Sequence, residues 1–319
     1  MTPTRAADAV SAAPAVTVVG SINVDLMVWA ERPPVAGELV FGRDFQLLLG
    51  GKGANVAAQL VRSGADTRFH ACVGGDELGR MALDILTERG VDTTHIRRAE
   101  GHHTGVGHVH VDDAGEYRSI VVPGANAVDP AGGDELIAAA STTRAVVLQF
   151  ETAAASRAAL LAWAPRAVPV YLNPSPWTET TAEELRAADV LVCNELEARH
   201  CARVLVPEVA WAPIEQIGPV LAAEVEELVM TRGADGAVVW RRDGAHAEHP
   251  GYRVATVGTI GAGDAFLGEY VLARAEGVAL SQALARACAA GALATTEPGP
   301  MATRAVRGEI DALVVTGRA

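Results

Sequence analysis

Short apolar runs rich in β-branched residues alternate along the chain with longer segments in which apolar residues recur at helical spacing. The runs are typical of strands buried on both faces, and they lie at residues 16–20, 67–73, 145–150, 168–173, 189–194 and 228–231. Between them, a segment such as ANVAAQLVRSG (54–64) is typical of an amphipathic helix that ends at Gly64. Strands alternating with helices predict an α/β fold with a doubly wound, mostly parallel sheet flanked by helices.

Two stretches, at about residues 24–48 and 103–122, are strand-like but more polar, and turn residues interrupt them. Few helices are available to cover these strands. The two stretches therefore predict a small β-sheet lid inserted into one main domain of residues 15–319. The alternative is a pair of ordinary hairpins at the edge of the main sheet. Residues 1–14 are rich in Ala but lack the apolar segment of a secretory signal, and we expect a disordered tail.

Charge and composition narrow the class of protein. The formal net charge of −13 argues against general nucleic-acid binding, which needs concentrated Lys and Arg. No stretch reaches about 18 uninterrupted apolar residues, so we expect no membrane span. The four cysteines are scattered without a C-x-x-C pair, and we expect reduced, buried thiols. An acidic cytoplasmic enzyme that acts on small molecules fits these properties.

The loop VGTIGAGDAF (257–266) places glycines directly before Asp264 and the start of an apolar, helix-like stretch. Backbone N–H groups at such a helix start attract anions. A carboxylate beside that anion site would repel the same ligand. Either Asp264 caps a structural helix, or its charge takes part in a reaction.

A second loop, LGGKGAN (49–55), contains one cation, Lys52, and one amide, Asn55. It is not a Walker A loop, because that pattern needs Ser or Thr at Gly53 and Gly at Gln46. The loop at 257–266 does not match G-x-G-x-x-G either, since Phe266 stands at the last glycine position. Both the P-loop and the dinucleotide-binding interpretations therefore fail.

Further polar clusters follow predicted strands, in GSINVD (20–25), QFET (149–152) and CNELEA (193–198). Taken singly, each cluster is more often a helix cap or a turn. Ligands of doubly wound sheets bind at the carboxyl ends of the strands. The sequence therefore predicts that these clusters share one cleft.

With these segments in their order, the chain resembles the PfkB carbohydrate-kinase family over about residues 16–315. The resemblance rests on GSINVD, GGKGAN, ACVGGDELG (71–79), PGAN (123–126), the Glu after QF, NELEA, TRGADGA (231–237) and TIGAGDAF (259–266). GGKGAN and PGAN indicate the ribokinase branch. The resemblance implies a ribokinase-like fold and an ATP-dependent phosphotransferase acting on a primary sugar hydroxyl, with the 5-hydroxyl of D-ribose as the leading candidate.

The resemblance also implies roles for individual residues. Asp264 would accept the hydroxyl proton, while the backbone N–H groups of Gly261, Ala262 and Gly263 would bind the phosphoryl oxygens. The sugar site would contain Asn23, Asp25, Gly51, Lys52, Asn55 and Glu151. Asn194 and Glu197 would face the phosphates and hydrated Mg²⁺, and an N-x-x-E spacing at a helix start places both side chains on one face. Thr231, Gly233 and Gly236 would contact the nucleotide, whose adenine pocket would be walled by a helix around 288–292.

One departure concerns Gly258, because family members usually carry Asp before the T-x-G-A-G-D core. That Asp helps to tie a monovalent-cation site, with the backbone of Ile260, to the active-site loop. K⁺ activation is therefore doubtful here. A kinase for another sugar or a nucleoside, and a sugar- or nucleotide-binding regulator without turnover, remain alternatives.

The lid carries two further expectations. Its strands should pair with those of a second subunit to form a homodimer, which would cover an exposed sheet face. Four histidines, His102, His103, His108 and His110, form a cluster around the start of its second stretch. They are either polar residues of a lid strand or part of a zinc site, and the first interpretation is favoured because no other ligand is clearly placed beside them.

Overall fold

The computed structural model describes residues 13–113, 116–161, 168–301 and 305–317. The tail expected at residues 1–14 lies outside these ranges except for its last two residues. There the carbonyl of Pro14 accepts a hydrogen bond of 3.1 Å from the N–H of Asp66. Within the described ranges, no helix combines the length and the apolar character needed to cross a bilayer.

Thirteen strands are present in the described part of the chain. They are β1 (Ala15–Val19), β2 (Asn23–Trp29), β3 (Asp44–Gly50), β4 (Asp66–Gly74), β5 (Ile96–Ala99), β6 (Gly105–Val111), β7 (Tyr117–Val122), β8 (Ala145–Gln149), β9 (Val170–Asn173), β10 (Val190–Asn194), β11 (Glu227–Thr231), β12 (Ala237–Arg241) and β13 (His246–His249).

Ten α-helices connect and cover these strands in the same described ranges. They are α1 (Lys52–Arg62), α2 (Glu77–Glu88), α3 (Gly133–Ala140), α4 (Ala154–Leu161), α5 (Ala182–Ala187), α6 (Glu195–Leu205), α7 (Ile214–Glu224), α8 (Ala262–Ala275), α9 (Leu280–Ala294) and α10 (Arg307–Thr316).

The main sheet has nine strands in the order β13-β12-β11-β10-β9-β8-β1-β4-β5. From β11 to β5 all neighbours pair in parallel, whereas β12 and β13 are antiparallel. Each of the six apolar runs singled out in the sequence forms one of the parallel strands. The predicted doubly wound, mostly parallel α/β fold is confirmed.

Helices cover both faces of the main sheet, so two apolar layers form. One layer packs α1, α8 and α9 against the sheet through residues such as Leu60, Tyr270 and Leu284. The other layer lies under α3 to α7 and includes Leu136 and Ile217. Because the strands are parallel, polar residues at their carboxyl ends meet at one edge of the sheet.

The two polar, strand-like stretches pair with each other and form a second sheet, in the order β3-β2-β6-β7. β2 and β6 are its central, parallel pair, with Asn23 opposite Gly105. The stretches therefore do not extend the edge of the main sheet as separate hairpins. Because side chains alternate along a strand, Asp25 lies on one face of this sheet and Leu26 on the other.

Candidate active site

The predicted polar clusters meet where the carboxyl ends of the parallel strands adjoin the first turns of α1 and α8. Glu151, just after β8, accepts a hydrogen bond from the hydroxyl of Ser21 and one of 2.9 Å from the N–H of Lys52. Asn55 Nδ2 donates a hydrogen bond of 2.7 Å to Asp264 Oδ2. Residues separated by up to 209 positions therefore form one polar cluster.

Asp264 is buried in the first turn of α8, yet its side chain does not cap the helix. The N-cap residue is Gly261, and the Asp264 carboxylate instead contacts Asn55 and, at 3.8 Å, Lys52 Nζ. Burial raises the pKa of Asp264, while Lys52 and the Asn55 hydrogen bond lower it. The helix-cap interpretation of Asp264 is therefore wrong, and a role of its charge in a reaction stays a prediction.

The backbone before Asp264 has the shape of an anion cradle. Gly261 has a φ of 81°, and a Cβ there would overlap the carbonyl of Pro300, so this position requires glycine. Ala262 and Gly263 then begin α8. The N–H of Ala262 donates to the Thr259 carbonyl across 3.3 Å, a long hydrogen bond that an incoming phosphoryl oxygen would have to replace.

Asp25 lies on β2 between two glycines of the neighbouring strands, Gly50 and Gly107, where any Cβ would collide with its carboxylate. Burial raises the pKa of Asp25 to about 6, and the nearby Glu151 adds to the increase. A hydrogen bond from the backbone of Gly107 opposes it. The carboxylate is therefore held at the inner face of the small sheet in an environment that favours protonation.

Asn23 begins β2 and Gly51 follows β3, so both stand at connections between the small sheet and the rest of the fold. Asn23 Oδ1 accepts a hydrogen bond of 2.7 Å from Asn126 Nδ2, and Gly51 is the N-cap residue of α1. The sequence interpretation gave no role to Asn126 or Ser21, although both lie in quoted motifs. Asn126 also accepts a hydrogen bond of 2.9 Å from the N–H of Ile22, so it fixes the backbone directly before β2.

A cavity of about 440 Å³ lies beside the cradle. Thr231, Gly233 and Gly236 line it, as the resemblance implied for the nucleotide site. Its opposite wall is the α9 segment from Cys288 to Ala292. The cavity thus stands where an adenine pocket was expected.

A smaller cavity of about 100 Å³ is lined by Lys52, Asn194, Glu197 and Asp264. It shares Thr231 and Gly263 with the larger cavity. The two spaces adjoin, and Asp264 borders the smaller one. Lys52, assigned by resemblance to the sugar site, therefore also faces the space expected for phosphates.

Asn194 and Glu197 together close the first turn of α6. Asn194 Oδ1 accepts from the N–H of Glu197, and Glu197 Oε2 accepts from the N–H of Asn194, both at 2.9 Å. Asn173, which the sequence interpretation missed, donates to Glu197 Oε2 at 3.3 Å. These capping contacts fix the two side chains at the edge of the smaller cavity.

Gly258 precedes the cradle without the positive φ that would require glycine. A Cβ at this position would lie 3.8 Å from the carbonyl oxygen of Glu297, which is an ordinary contact distance. The backbone therefore accepts an aspartate here. Ile260, whose backbone the resemblance links to a monovalent cation, is half-buried two residues further on.

The four histidines of the candidate zinc site lie on β6 of the small sheet and in the segment directly before it. Along β6, His108 is exposed whereas His110 is buried. Over the described ranges, no group of three or more His, Cys, Asp or Glu side chains is placed to hold a metal ion. This geometry gives the zinc interpretation no support.

The sequence pattern of the family described as "pfkB family carbohydrate kinase" matches residues 13–305. The chain belongs to this family. Ribokinase from Haemophilus influenzae is 30% identical over 296 residues, which cover 92% of this chain and 96% of that protein. Membership of the PfkB family makes the chain an ATP-dependent phosphotransferase that acts on a sugar hydroxyl, and it implies ATP and a divalent metal ion.

Solved structures show the same fold. Ribokinase from Thermotoga maritima superposes with a TM-score of 0.83 at 25% identity, covering 95% of this chain and 100% of that chain. A nucleoside kinase from Burkholderia thailandensis, in complex with inosine, gives a TM-score of 0.78 at 22% identity, covering 94% and 96%. The second comparison shows that this architecture also serves kinases with a different acceptor.

Proposed function

We propose that this protein transfers the γ-phosphoryl group of ATP to the 5-hydroxyl of D-ribose. The observation that carries the proposal is the position of Asp264, which borders the smaller cavity and contacts Asn55 and Lys52. ATP would occupy the larger cavity with its phosphates in the smaller one. The sugar would lie between Asp264 and the inner face of the small sheet, against Asn23, Asp25, Asn55 and Glu151.

Asp264 acts as the general base in this proposal. Its carboxylate accepts the proton of the attacking hydroxyl as the new oxygen–phosphorus bond forms, while the bond from the γ-phosphorus to the β,γ-bridging oxygen breaks and ADP leaves. Lys52 and the N–H groups of Gly261, Ala262 and Gly263 stabilise the charge on the transferred group. Asn55 holds one carboxylate oxygen of Asp264 at 2.7 Å and so orients the other toward the reacting hydroxyl.

The smaller cavity fits a hydrated divalent cation, because its lining offers the carboxylate of Glu197 and the amide of Asn194. Glu197 and Asn194 would hold Mg²⁺ through its water ligands. When bound, the ion neutralises phosphate charge. We place the reaction in the cytoplasm, where the four free, buried cysteines would remain reduced.

A nucleoside is the second candidate acceptor, since the inosine complex shares this fold. A coupled ADP-release assay with D-ribose, 2-deoxyribose, fructose, adenosine and uridine distinguishes the candidates. We expect kcat/KM to be highest for D-ribose, because carboxylates and amides that pair with sugar hydroxyls discriminate strongly against analogues lacking them. A higher kcat/KM for adenosine or uridine would refute ribose as the acceptor.

Potassium should have little effect on turnover, since Gly258 supplies no carboxylate near Ile260. We expect nearly equal kcat in Na⁺ and K⁺. Gly258→Asp should create or strengthen K⁺ activation, because the site accommodates a Cβ and a carboxylate offers a charged oxygen ligand. Gly258→Asn is the matched control without the charge. Many-fold K⁺ activation of the unmodified protein would contradict this interpretation of Gly258.

We also propose that the small sheet is a lid over the sugar site and that its outer face joins two copies of the chain. On that face Phe45, Leu47 and Ile120 are 63%, 45% and 68% exposed. Leu47 stands opposite Leu26 on the neighbouring strand. Pairing with a second copy would remove this apolar surface from water.

Light scattering tests the lid dimer. We expect twice the chain mass of 33.1 kDa at micromolar concentration for the unmodified protein. Leu47→Asp should give a monomer, because a charge would be buried in the interface. Val315→Asp, at an apolar position of α10 that is 85% exposed, should leave the dimer intact. A purely monomeric unmodified protein would exclude the dimer.

A further inference from the structure

Two helices that carry active-site residues, α1 and α8, also contact each other away from the site. Gly268 of α8 lies against α1, where a Cβ would be only 3.1 Å from Cβ and Cγ of Gln59 and 3.3 Å from the carbonyl oxygen of Val56. The two backbones therefore approach closely. Their relative position sets whether Asn55 of α1 can reach Asp264 of α8.

A second polar contact joins the same helices beyond Gly268. Glu269 of α8 is fully buried, and its Oε2 accepts a hydrogen bond of 2.5 Å from Ser63 Oγ at the end of α1. Ser63 Oγ accepts one of 2.9 Å from Gln59 Nε2. The other oxygen of Glu269 accepts a hydrogen bond of 2.7 Å from Arg286 Nε on α9.

Stability alone does not explain this contact. Burial raises the pKa of Glu269, because removal of the carboxylate from water disfavours its charged form. A buried ion pair of this kind is often no more stabilising than apolar residues of similar volume. Unlike an apolar contact, however, a hydrogen bond fixes distance and direction. The hydrogen bond between Ser63 and Glu269 therefore fixes the position of α8 along the axis of α1.

We propose that Ser63 and Glu269 are positioning residues that fix α8 on α1 and thereby hold Asp264 within hydrogen-bond distance of Asn55. The inference rests on the proposed role of Asp264 as the base. By helix rise, Ser63 lies roughly 12 Å beyond Asn55 and Glu269 roughly 8 Å beyond Asp264. Two contacts separated in this way prevent both sliding and rotation of the helix pair, which one contact cannot do.

Loss of the hydrogen bond between Ser63 and Glu269 should change the pKa of Asp264. If α8 moves and the Asn55 hydrogen bond breaks, the ionised form of Asp264 loses a partner and its pKa rises. Lys52 would still favour the ionised form, while Glu151 and Glu197 would oppose it. The carboxylate would also be misplaced, and a displacement of about 1 Å can cost 100-fold in rate.

Ser63→Ala is the test variant, and Gly268→Ala is an independent second variant, because its Cβ would press on the Gln59 side chain and the Val56 carbonyl oxygen of α1. Glu276→Gln is the control, since Glu276 binds Arg286 and Arg307 in the same cluster but makes no contact with Ser63. We expect kcat about 10- to 100-fold lower in both test variants, with KM for ATP changed less than about twofold. The control should behave like the unmodified protein.

Carbon-13 NMR of labelled aspartate carboxyls provides a readout besides activity, with Asp264 assigned from Asp264→Asn. We expect the Asp264 titration to move to higher pH in Ser63→Ala and not in Glu276→Gln. An unchanged titration in Ser63→Ala overturns the proposal whether or not kcat falls. The base role fails separately, if Asp264→Asn retains turnover.

Discussion

Asp264→Asn is expected to lower kcat by about two to four powers of ten, the range for loss of a positioned general base. The amide keeps the size of the side chain but cannot accept the hydroxyl proton. ATP should still bind, because Asp264 does not line the larger cavity, although its neighbours Ala262 and Gly263 do. The measurement is steady-state kcat together with ATP affinity from calorimetry.

The matched control for this prediction is Asp84→Asn, which changes an exposed aspartate of α2 that pairs with Arg80. It should leave kcat unchanged, since surface ion pairs contribute little. Near-full turnover of Asp264→Asn would remove Asp264 from the role of base. A loss of ATP binding in that variant would instead indicate a damaged cradle.

Sugar binding should weaken as the pH falls through about 6. The pKa of Asp25 is raised to about 6 by burial and by Glu151, so below that pH the side chain is increasingly protonated. The ionised form accepts charge-assisted hydrogen bonds from sugar hydroxyls, and the neutral form does so less well. We expect KM for the sugar to rise toward acid pH while KM for ATP stays constant.

Asp25→Asn should remove this pH dependence of the sugar KM and lower kcat/KM by about two powers of ten at neutral pH. That loss corresponds to roughly 3 kcal/mol, the upper range for a hydrogen bond to a charged group. Asp84→Asn, the exposed control on α2, should leave the sugar KM unchanged. A sugar KM that does not vary with pH in the unmodified protein would contradict the role of Asp25.

The carboxyl group of Asp25 also affects the stability of the folded protein. Its pKa lies near 6 in the folded protein and near its ordinary value of 3.8 when unfolded. The unfolded chain therefore releases this proton first, and the folded state loses stability as the pH rises from about 4 to 6. Above pH 6, Asp25→Asn should unfold at a higher temperature than the unmodified protein although it binds the sugar less well.

The parallel strands were predictable because burial on both faces leaves each of them a nearly continuous apolar run, such as residues 145–150. Strands β5, β12 and β13 were not predicted. β5 (IRRA) and β13 (HAEH) are short and polar, since each lies at an edge of the sheet. Their pairing is decided by neighbours distant in sequence.

The site, too, was predictable only in part. The rule that ligands bind at the carboxyl ends of strands predicted that Glu151, Asn194 and the glycine loops share one cleft. Whether Asp264 caps its helix could not be decided locally, because its partner Asn55 is 209 residues away. Asn126 was missed for a similar reason, since it acts through the backbone of Ile22, 104 residues earlier.

The most direct test of the central claim is to follow the products from ATP and D-ribose labelled with carbon-13 at C5. We predict that a carbon–phosphorus coupling develops on the C5 resonance, in step with the release of one ADP per sugar. Phosphorylation at another carbon, or no reaction with D-ribose while adenosine or inosine is phosphorylated, would contradict the account.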